Sequence, residues 1–395
     1  MIRTAGLLLV LLLSPSPTVA QLPDTLSDVG RLYVLTILPG EDVYNRYGHT
    51  AIRAQDRQKG LDVTFNYGTF DFEAPGFIGN FIQGEMDYFL SFGSTRRALQ
   101  SATLQARAVR QQLLDVSKEH RDAIYSALLK NAEEENREYR YDFLFDNCAT
   151  RPRDILATAL GASVTWDNGT GLQQSFRQLL DPYHAASPDI DLGTDLVLGS
   201  RLDREASASE EAFLPIRLEA ILAAAEVEDQ YGRRPLVLVS DTLIWSPRPV
   251  FPERAFPWPT LLTGLLLLAG LLTLKRSLVV GRQLPLFDNA LLATLGVVGV
   301  VLLYMATATS HVVTGANYNL LWALPTHLAA IFLFKRLGTR KTGVYLVGAA
   351  VLAALSLTGG WLLPQPLPMA MVPIVLLAVI RFGSAGILRL RAKEA

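Results

Sequence analysis

The feature that most constrains the fold is a run of apolar stretches that begins near residue 258 and continues almost to the C-terminus. Five stretches follow one another, at about 258–274, 288–309, 319–334, 343–363 and 368–386. A transmembrane helix needs roughly 20 predominantly apolar residues, and three of the stretches approach or exceed that length. The sequence after residue 258 therefore predicts a membrane domain of five helices.

The loops between these stretches predict how the membrane domain is oriented. The loops 310–318 and 364–367 contain no lysine or arginine. The first, third and fifth stretches are instead followed by basic residues, namely Lys275, Arg276, Arg282, Lys335, Arg336, Arg340, Lys341, Arg389, Arg391 and Lys393. Because basic loops stay in the cytoplasm, the domain that precedes residue 258 is predicted on the opposite side of the membrane.

The N-terminus predicts the same orientation. Residues 1–20, MIRTAGLLLVLLLSPSPTVA, have the basic start, short apolar core and small-residue end of a secretory signal peptide. An uncleaved N-terminal anchor is the alternative. The chain is therefore divided into a signal peptide (1–20), an exported domain (21–250), a proline-rich linker (251–257) and the membrane domain (258–395).

The exported domain has strand patterns followed by helices. Residues 31–40, 47–55 and 61–72 are β-branched and aromatic runs separated by turn signals, which indicates an antiparallel meander. A helix is predicted from about 117 to 135, opening on Ser117. These patterns predict an α+β fold. The net charge of −1 and the absence of a basic cluster in the sequence argue against nucleic acid as a partner.

The segment YDFLFDNCATRPRDIL contains Cys148, the one cysteine of the chain. In an oxidising compartment, an odd cysteine indicates an intermolecular bridge or a reactive thiol. Asp146 or Asn147 can cap a helix here, and Pro152 suits a first helical turn, so Cys148 is predicted at or just before a helix N-terminus. Backbone N–H groups and the helix dipole are expected to favour the thiolate there. A buried, inert cysteine is the alternative.

A thiol nucleophile needs a base, and the chain has five histidines. His49, in YGHTAIR, begins a predicted strand directly after a glycine and is the candidate base, although a histidine packed against the sheet fits the same position. The others lie in a charged helix start, in a proline-flanked loop and in the membrane domain, at His120, His184, His311 and His327. A single cysteine excludes a multi-cysteine zinc site, and neither a metal nor another cofactor is predicted.

Five segments in order, YGHTAIR, FNYGTFDF, GEMDYFLSF, YRYDFLFDNCATRPRDIL and HVVTGANYNLLWALPTHL, resemble the Lnb family of lipoprotein N-acyltransferases. The resemblance extends from about residue 30 to 335. A strand-borne GH followed far downstream by NC on a helix also resembles the circularly permuted papain-like (NlpC-type) thiol fold. The resemblance implies that Cys148 is the nucleophile and His49 the general base. It also implies an imidazole-orienting residue on the next strand, where Asn66 is expected and Asp71 is the alternative.

The family's activity implies a bacterial inner-membrane enzyme with a periplasmic catalytic domain. It would move an acyl chain from a membrane phospholipid, through a Cys148 thioester, to the α-amine of the diacylglyceryl-cysteine of a lipoprotein. On this interpretation, several polar side chains are candidates for binding phosphate, head groups or the incoming amine: Arg53, Arg151, Arg153, His311, Asn317 and Asn319.

Two other functions fit the same sequence. A membrane-tethered cysteine hydrolase, either a peptidoglycan endopeptidase or a lipid hydrolase, would use the same Cys148 and His49. A non-enzymatic membrane sensor or transporter would leave the thiol without a role. Five membrane helices favour a lipid substrate, because a tether alone requires only one.

Overall fold

The structure, a computed structural model, describes residues 22–71, 73, 75–166, 169, 171–280 and 285–391. The predicted signal peptide lies outside the described residues. An antiparallel sheet forms the centre of the exported domain and consists of β1 (Arg31–Ile37), β2 (His49–Asp56), β3 (Leu61–Thr69), β4 (Asp87–Ser94), β5 (Val109–Leu114), β6 (Glu138–Arg140) and β10 (Val237–Ile244), in the spatial order β10-β5-β1-β2-β3-β4-β6. A smaller antiparallel sheet contains β7 (Val164–Thr165), β8 (Glu226–Asp229) and β9 (Gly232–Pro235).

The predicted meander is confirmed, because β1, β2 and β3 are antiparallel neighbours. The helices of the exported domain are α1 (Phe77–Gln83), α2 (Thr95–Leu104), α3 (Lys118–Ala132), α4 (Thr150–Leu160), α5 (Phe176–His184), α6 (Pro188–Val197), α7 (Ala208–Glu211) and α8 (Pro215–Ala224). Ser117 caps α3 as predicted, since its Oγ accepts from the His120 N–H at 3.3 Å. Buried residues of α3 and α4, such as Tyr125 and Leu156, share one apolar core with Phe65 of the sheet. This packing fixes α4 against the sheet.

The membrane domain contains α9 (Trp258–Val280), α10 (Pro285–Thr307), α11 (Thr326–Ser356) and α12 (Val372–Arg391). In the described part of the chain, four helical segments are long and apolar enough to cross a membrane. The predicted count of five helices is not confirmed, because the third and fourth apolar stretches meet in α11. The basic residues between the two stretches predict a loop, but in the structure the two helices run on toward each other and meet at Gly338.

A break at Gly338 divides α11. Gly338 has φ 74° and ψ 170°, which no helical residue adopts. The Tyr345 hydroxyl lies 2.7 Å from Nδ1 of His327, although the two residues are 18 positions apart. In a straight helix that separation would correspond to about 27 Å. The two arms of α11 therefore fold back on each other at Gly338.

The exported domain rests on the membrane domain through α6. Its apolar side chains Leu192, Leu196 and Val197 pack against the core of the membrane domain. The last carbonyls of a helix have no partner within the helix. Here the loops of the membrane domain supply side-chain amides: Asn317 donates to Leu196 O at 2.7 Å, Asn319 to Asp195 O at 3.1 Å and Gln365 to Leu198 O at 3.2 Å. Both loops without lysine or arginine thus contact the exported domain, in agreement with the orientation predicted from charge.

Candidate active site

His49 and Asn66 form the first half of the candidate site. His49 begins β2 and Asn66 lies on β3, its antiparallel neighbour. Nε2 of His49 is 2.5 Å from Oδ1 of Asn66. Since an amide oxygen only accepts, Nε2 carries the hydrogen and Nδ1 of the neutral ring is left as the base. The alternative residue, Asp71, is exposed, and its carboxylate accepts from the Glu73 N–H at 2.9 Å.

Cys148 lies two residues before α4, as the sequence predicts. Asn147 fixes this turn: its buried Oδ1 accepts from the N–H of Ala149 at 2.7 Å and from that of Thr150 at 3.0 Å. Its Nδ2 donates to Phe143 O at 2.8 Å and to Phe213 O at 3.0 Å. The N-cap of α4 is Ala149 and not the predicted Asp146 or Asn147, but the Asn147 side chain holds the turn that contains Cys148.

Gly68 lets the two halves meet. It has φ +99°, a conformation that favours glycine, and a methyl group placed there would lie 3.3 Å from Cβ of Cys148 and 3.5 Å from Cε1 of His49. The fold thus brings together a thiol and an imidazole that are 99 positions apart in the sequence.

The electrostatics of the site differ from the sequence-based expectation. Burial raises the pKa of the Cys148 thiol to about 11, although N–H groups of Thr50 and of Cys148 itself oppose the rise. Burial lowers the pKa of His49 to about 4, and the Arg107 charge acts in the same direction. Burial thus opposes the expected thiolate, because desolvation outweighs the helix N-terminus. At neutral pH the pair is an uncharged thiol beside an uncharged imidazole.

Arg107 was missed from the sequence, where nothing distinguishes it from other arginines. Its guanidinium is buried and donates to Leu38 O at 2.7 Å and to Ile37 O at 3.4 Å. Ile37 is the β1 partner of His49. Burial lowers the pKa of Arg107 to about 10, so it is a cation at neutral pH. Its charge favours the Cys148 thiolate and disfavours a protonated His49.

We expect iodoacetamide to alkylate Cys148 slowly at pH 7 and about tenfold faster for each added pH unit, up to about pH 11. A pKa of about 11 instead of 9.0 leaves roughly 100-fold less thiolate at neutral pH. The measurement is the rate of mass gain in the full chain, with the denatured chain as control. A plateau below pH 7 would instead indicate a thiolate–imidazolium pair.

Asn66→Ala should lower kcat about fivefold, because a neutral hydrogen bond contributes about 1 kcal/mol and holds the ring of His49. Asn66→Asp is the matched variant. A carboxylate favours the imidazolium, so it should raise the His49 pKa and move the acidic limb of the kcat/KM profile to higher pH. A purely structural role for Asn66 would leave that limb in place.

The polar residues predicted to contact substrate have other partners in the structure. Arg53 pairs with Asp62 at 2.6 Å, and Arg151 pairs with Asp146 at 2.5 Å. Arg153 pairs with its neighbour Asp154 at 2.7 Å. For these arginines, binding of phosphate stays a prediction.

The predicted residues of the loop 310–319 lie where the two domains meet. His311 contacts the exported domain, with Nε2 3.1 Å from Phe81 O. The buried amides of Asn317 and Asn319 serve the carbonyls at the end of α6. The structure therefore gives the two asparagines a role in joining the domains, and contact with a head group stays a prediction.

One more histidine lies near the site. His184, which the sequence placed in a loop, ends α5 and is buried, with Nε2 2.7 Å from the Tyr47 hydroxyl. Tyr47 precedes His49 by two residues, so this pair supports the start of β2. In the part of the chain that the structure describes, no group of three or more His, Cys, Asp and Glu side chains could hold a metal ion.

Comparison with known protein families gave two matches. Residues 25–181 match the model of the Lnb N-terminal periplasmic domain, and residues 252–393 match the model of the Lnb transmembrane domain. Neither the curated proteins nor the solved structures gave a match. The two family matches together cover most of the chain, including Cys148, His49 and Asn66.

Proposed function

Because the chain belongs to the Lnb family and is a membrane protein with a periplasmic domain, we propose that it is a lipoprotein N-acyltransferase. The donor is a membrane phospholipid, and the acceptor is the free α-amine of a diacylglyceryl-cysteine at a lipoprotein N-terminus. The observation that carries the proposal is the meeting of the Cys148 thiol with His49 and Asn66. No cofactor enters the reaction.

In the first half-reaction, the sulfur of Cys148 attacks the carbonyl carbon of a phospholipid acyl ester while His49 accepts the thiol proton. The C–O ester bond breaks, and the imidazolium protonates the departing oxygen of the lysophospholipid. Oδ1 of Asn66 accepts a hydrogen bond from Nε2 of His49 throughout. This hydrogen bond stabilises the positive charge that the ring carries between the two proton transfers. The product is a Cys148 thioester. Because the resting pair is uncharged, the proton moves only as the sulfur attacks.

In the second half-reaction, the α-amine of the lipoprotein attacks the thioester carbon. His49 removes one proton from the amine and returns it to the sulfur of Cys148 as the C–S bond breaks. The products are an amide-linked acyl chain on the lipoprotein and the free thiol. Each half-reaction uses the same two side chains, which predicts ping-pong kinetics.

The architecture of the exported domain supports a further part of the proposal. We assign it the circularly permuted papain-like arrangement, in which the strand-borne histidine precedes the helix-borne cysteine. Support comes from the order of His49 on β2, Asn66 on β3 and Cys148 before α4.

For the membrane domain, we propose five crossings, with Gly338 at a cytoplasmic turn between the two arms of α11. Support comes from the contact of Tyr345 with His327. It also comes from Gln365, which lies on the same side as the loop 310–318 because both contact α6. A single crossing by α11 would leave Gln365 on the cytoplasmic side.

Mass spectrometry of a lipoprotein N-terminus tests the proposed reaction. The protein is expressed in cells that lack their own N-acyltransferase, and the lipoprotein is expected to gain one amide-linked acyl chain. In a purified system, a phospholipid with an isotopically labelled acyl chain should pass its label first to Cys148 and then to the amine. Unchanged diacylated lipoprotein, together with release of free fatty acid, would reject the transferase and indicate a hydrolase.

A further inference from the structure

The short helix α1 presents apolar side chains to the surface. Residues 76–84, GFIGNFIQG, contain no charged side chain. Ile78 is 73% exposed, Phe81 is 58% exposed and Ile82 is 45% exposed. Such a concentration of large apolar groups is costly in water and typical of surfaces that meet a membrane or a partner.

This helix is attached to the end of a membrane span. Gln83 O accepts from the N–H of Ser310 at 2.7 Å, and Phe81 O lies 3.1 Å from the ring of His311. Ser310 follows the end of α10, Thr307, by three residues, which can extend at most about 11 Å. The head-group region is roughly 5–8 Å deep on each side of the bilayer. Thus α1 is held at the depth of the periplasmic surface of the inner membrane, with its apolar side chains exposed there.

A row of aromatic rings leads from α1 toward the thiol. Phe77, the first residue of α1, stacks on Phe70 with centroids 5.9 Å apart. Phe70 contacts Tyr88 at 5.0 Å, and Tyr88 stacks on Tyr141 at 4.2 Å. Phe70, Phe77, Tyr88 and Tyr141 are each partly exposed, so the rings line a surface that an apolar chain can contact.

The row ends beside Cys148. After Tyr141 the chain turns back through two hydrogen bonds between Asp142 and Asp146, and Cys148 follows two residues later. Burial raises the pKa of Tyr88 to about 12, and the charge that Cys148 carries as a thiolate adds to this rise. The same two causes, in the same order, raise the pKa of Tyr141. The geometry agrees: Tyr88 adjoins Phe89, which pairs with Thr69, and a methyl group at the preceding Gly68 would lie 3.3 Å from Cβ of Cys148.

We propose that α1 is immersed in the outer leaflet and that Phe77, Phe70, Tyr88 and Tyr141 form the path along which a phospholipid acyl chain reaches Cys148. The occupant of this surface is thus the acyl chain of a membrane lipid. Continuity with the end of α10 argues for lipid rather than a protein partner. The acyl-chain path rests on the proposed function, which supplies the chemistry at Cys148. The immersion of α1 does not rest on that function.

Spin labels test the immersion without any activity. In a Cys148→Ala background the chain has no other cysteine, so Ile78→Cys and Phe81→Cys can each be labelled singly in lipid nanodiscs. Val29→Cys is the matched control, because Val29 is 57% exposed and precedes β1 at the end of the sheet opposite to Ile37. Ile37 pairs with Val109, and so does Ile244, after which the chain continues into the linker. The linker therefore leaves the sheet at the Ile37 end of β1, and Val29 precedes the other end.

The expected result is that labels at Ile78 and Phe81 collide with oxygen more often than with a water-soluble nickel chelate, and that the label at Val29 shows the reverse. Chelate accessibility at Ile78 and Phe81 equal to that at Val29 overturns the immersion of α1. Because the background lacks the thiol, this outcome does not depend on whether the protein transfers acyl chains.

Donor choice tests the path. The double variant Ile78→Glu with Phe81→Glu should form the Cys148 acyl-enzyme at least tenfold more slowly from phospholipid in nanodiscs, with a smaller loss for a water-soluble short-chain thioester. Val29→Glu should match the wild type with both donors. An equal loss with both donors, or no loss, overturns the path. If the wild type accepts an acyl group from neither donor, the proposed function and the path both fail, and the spin labels still decide the immersion.

Discussion

Replacing Cys148 with alanine is expected to abolish N-acyl transfer, with a loss of at least about 10⁴-fold, because no thioester can form. The readout is the mass of the lipoprotein N-terminus in cells that lack their own N-acyltransferase, where the variant should leave the lipoprotein diacylated. Cys148→Ser should fail as well, since an uncharged imidazole is a weak base for a hydroxyl that is much less acidic than a thiol.

The control for this prediction is the state of the variant protein. Cys148→Ala removes one partly exposed sulfur and leaves the buried Asn147 side chain in place, so the variant should fold and reach the membrane in normal amounts. Its thermal unfolding midpoint should lie within a few degrees of that of the wild type. A triacylated lipoprotein produced by the folded Cys148→Ala protein would exclude the proposed nucleophile.

His49→Gln is expected to reduce acyl-enzyme formation by about 10²- to 10⁴-fold at pH 7, the usual contribution of a general base. The remaining rate should rise with pH, because only the small thiolate fraction of Cys148 can then attack, and its pKa is about 11. In the wild type, His49 is neutral above a pKa of about 4, so activity should instead persist at mildly acidic pH and fall only as the pH approaches that value.

His120→Gln is the matched control, since it makes the same chemical change in the first turn of α3, outside the site. It should retain the rate and the pH profile of the wild type. If His49→Gln kept both the rate and the flat profile, His49 would not be the base. A loss without the rise at high pH would indicate that His49 acts on structure alone.

The choice between transfer and hydrolysis depends on the access of water to Cys148, which is partly exposed. In the proposed reaction, bound acyl chains would limit the access of water to a thioester at this residue. An amine that is delivered with its own acyl chains can then compete with water. In the proposed reaction, the charge of Arg107, which is held against Ile37 O and Leu38 O, would stabilise negative charge on sulfur when the thioester breaks.

Local patterns in the sequence predicted much of the fold. Hydropathy and loop charge located the membrane domain and its orientation, because a bilayer imposes the same length and charge rules on every segment. Alternation in residues 31–72 predicted the meander, and a cap at Asp146 or Asn147 together with Pro152 predicted the helix after Cys148. These features depend on neighbours within a few positions, and such interactions can be read from the chain.

Other features came only from the tertiary structure. Gly68 could have been suspected as a point of close approach, since it interrupts a strand, but the sequence does not say which side chains approach it. The break at Gly338 lies in the basic segment that separates the third and fourth apolar stretches, but the sequence does not say which residue there makes the turn. The end of α6 and its amide partners from Asn317 and Asn319 join segments more than 100 positions apart.

The chemistry of Cys148 shows the division most clearly. The sequence determined that one thiol stands at a helix start in an exported domain, because capping is local. Its protonation state was decided by burial, and its partners by the approach of β2 and β3, where Gly68 leaves room for both Cys148 and His49. Desolvation and long-range packing sum over the whole surrounding structure. No short stretch of sequence contains that sum, so only the folded chain decides it.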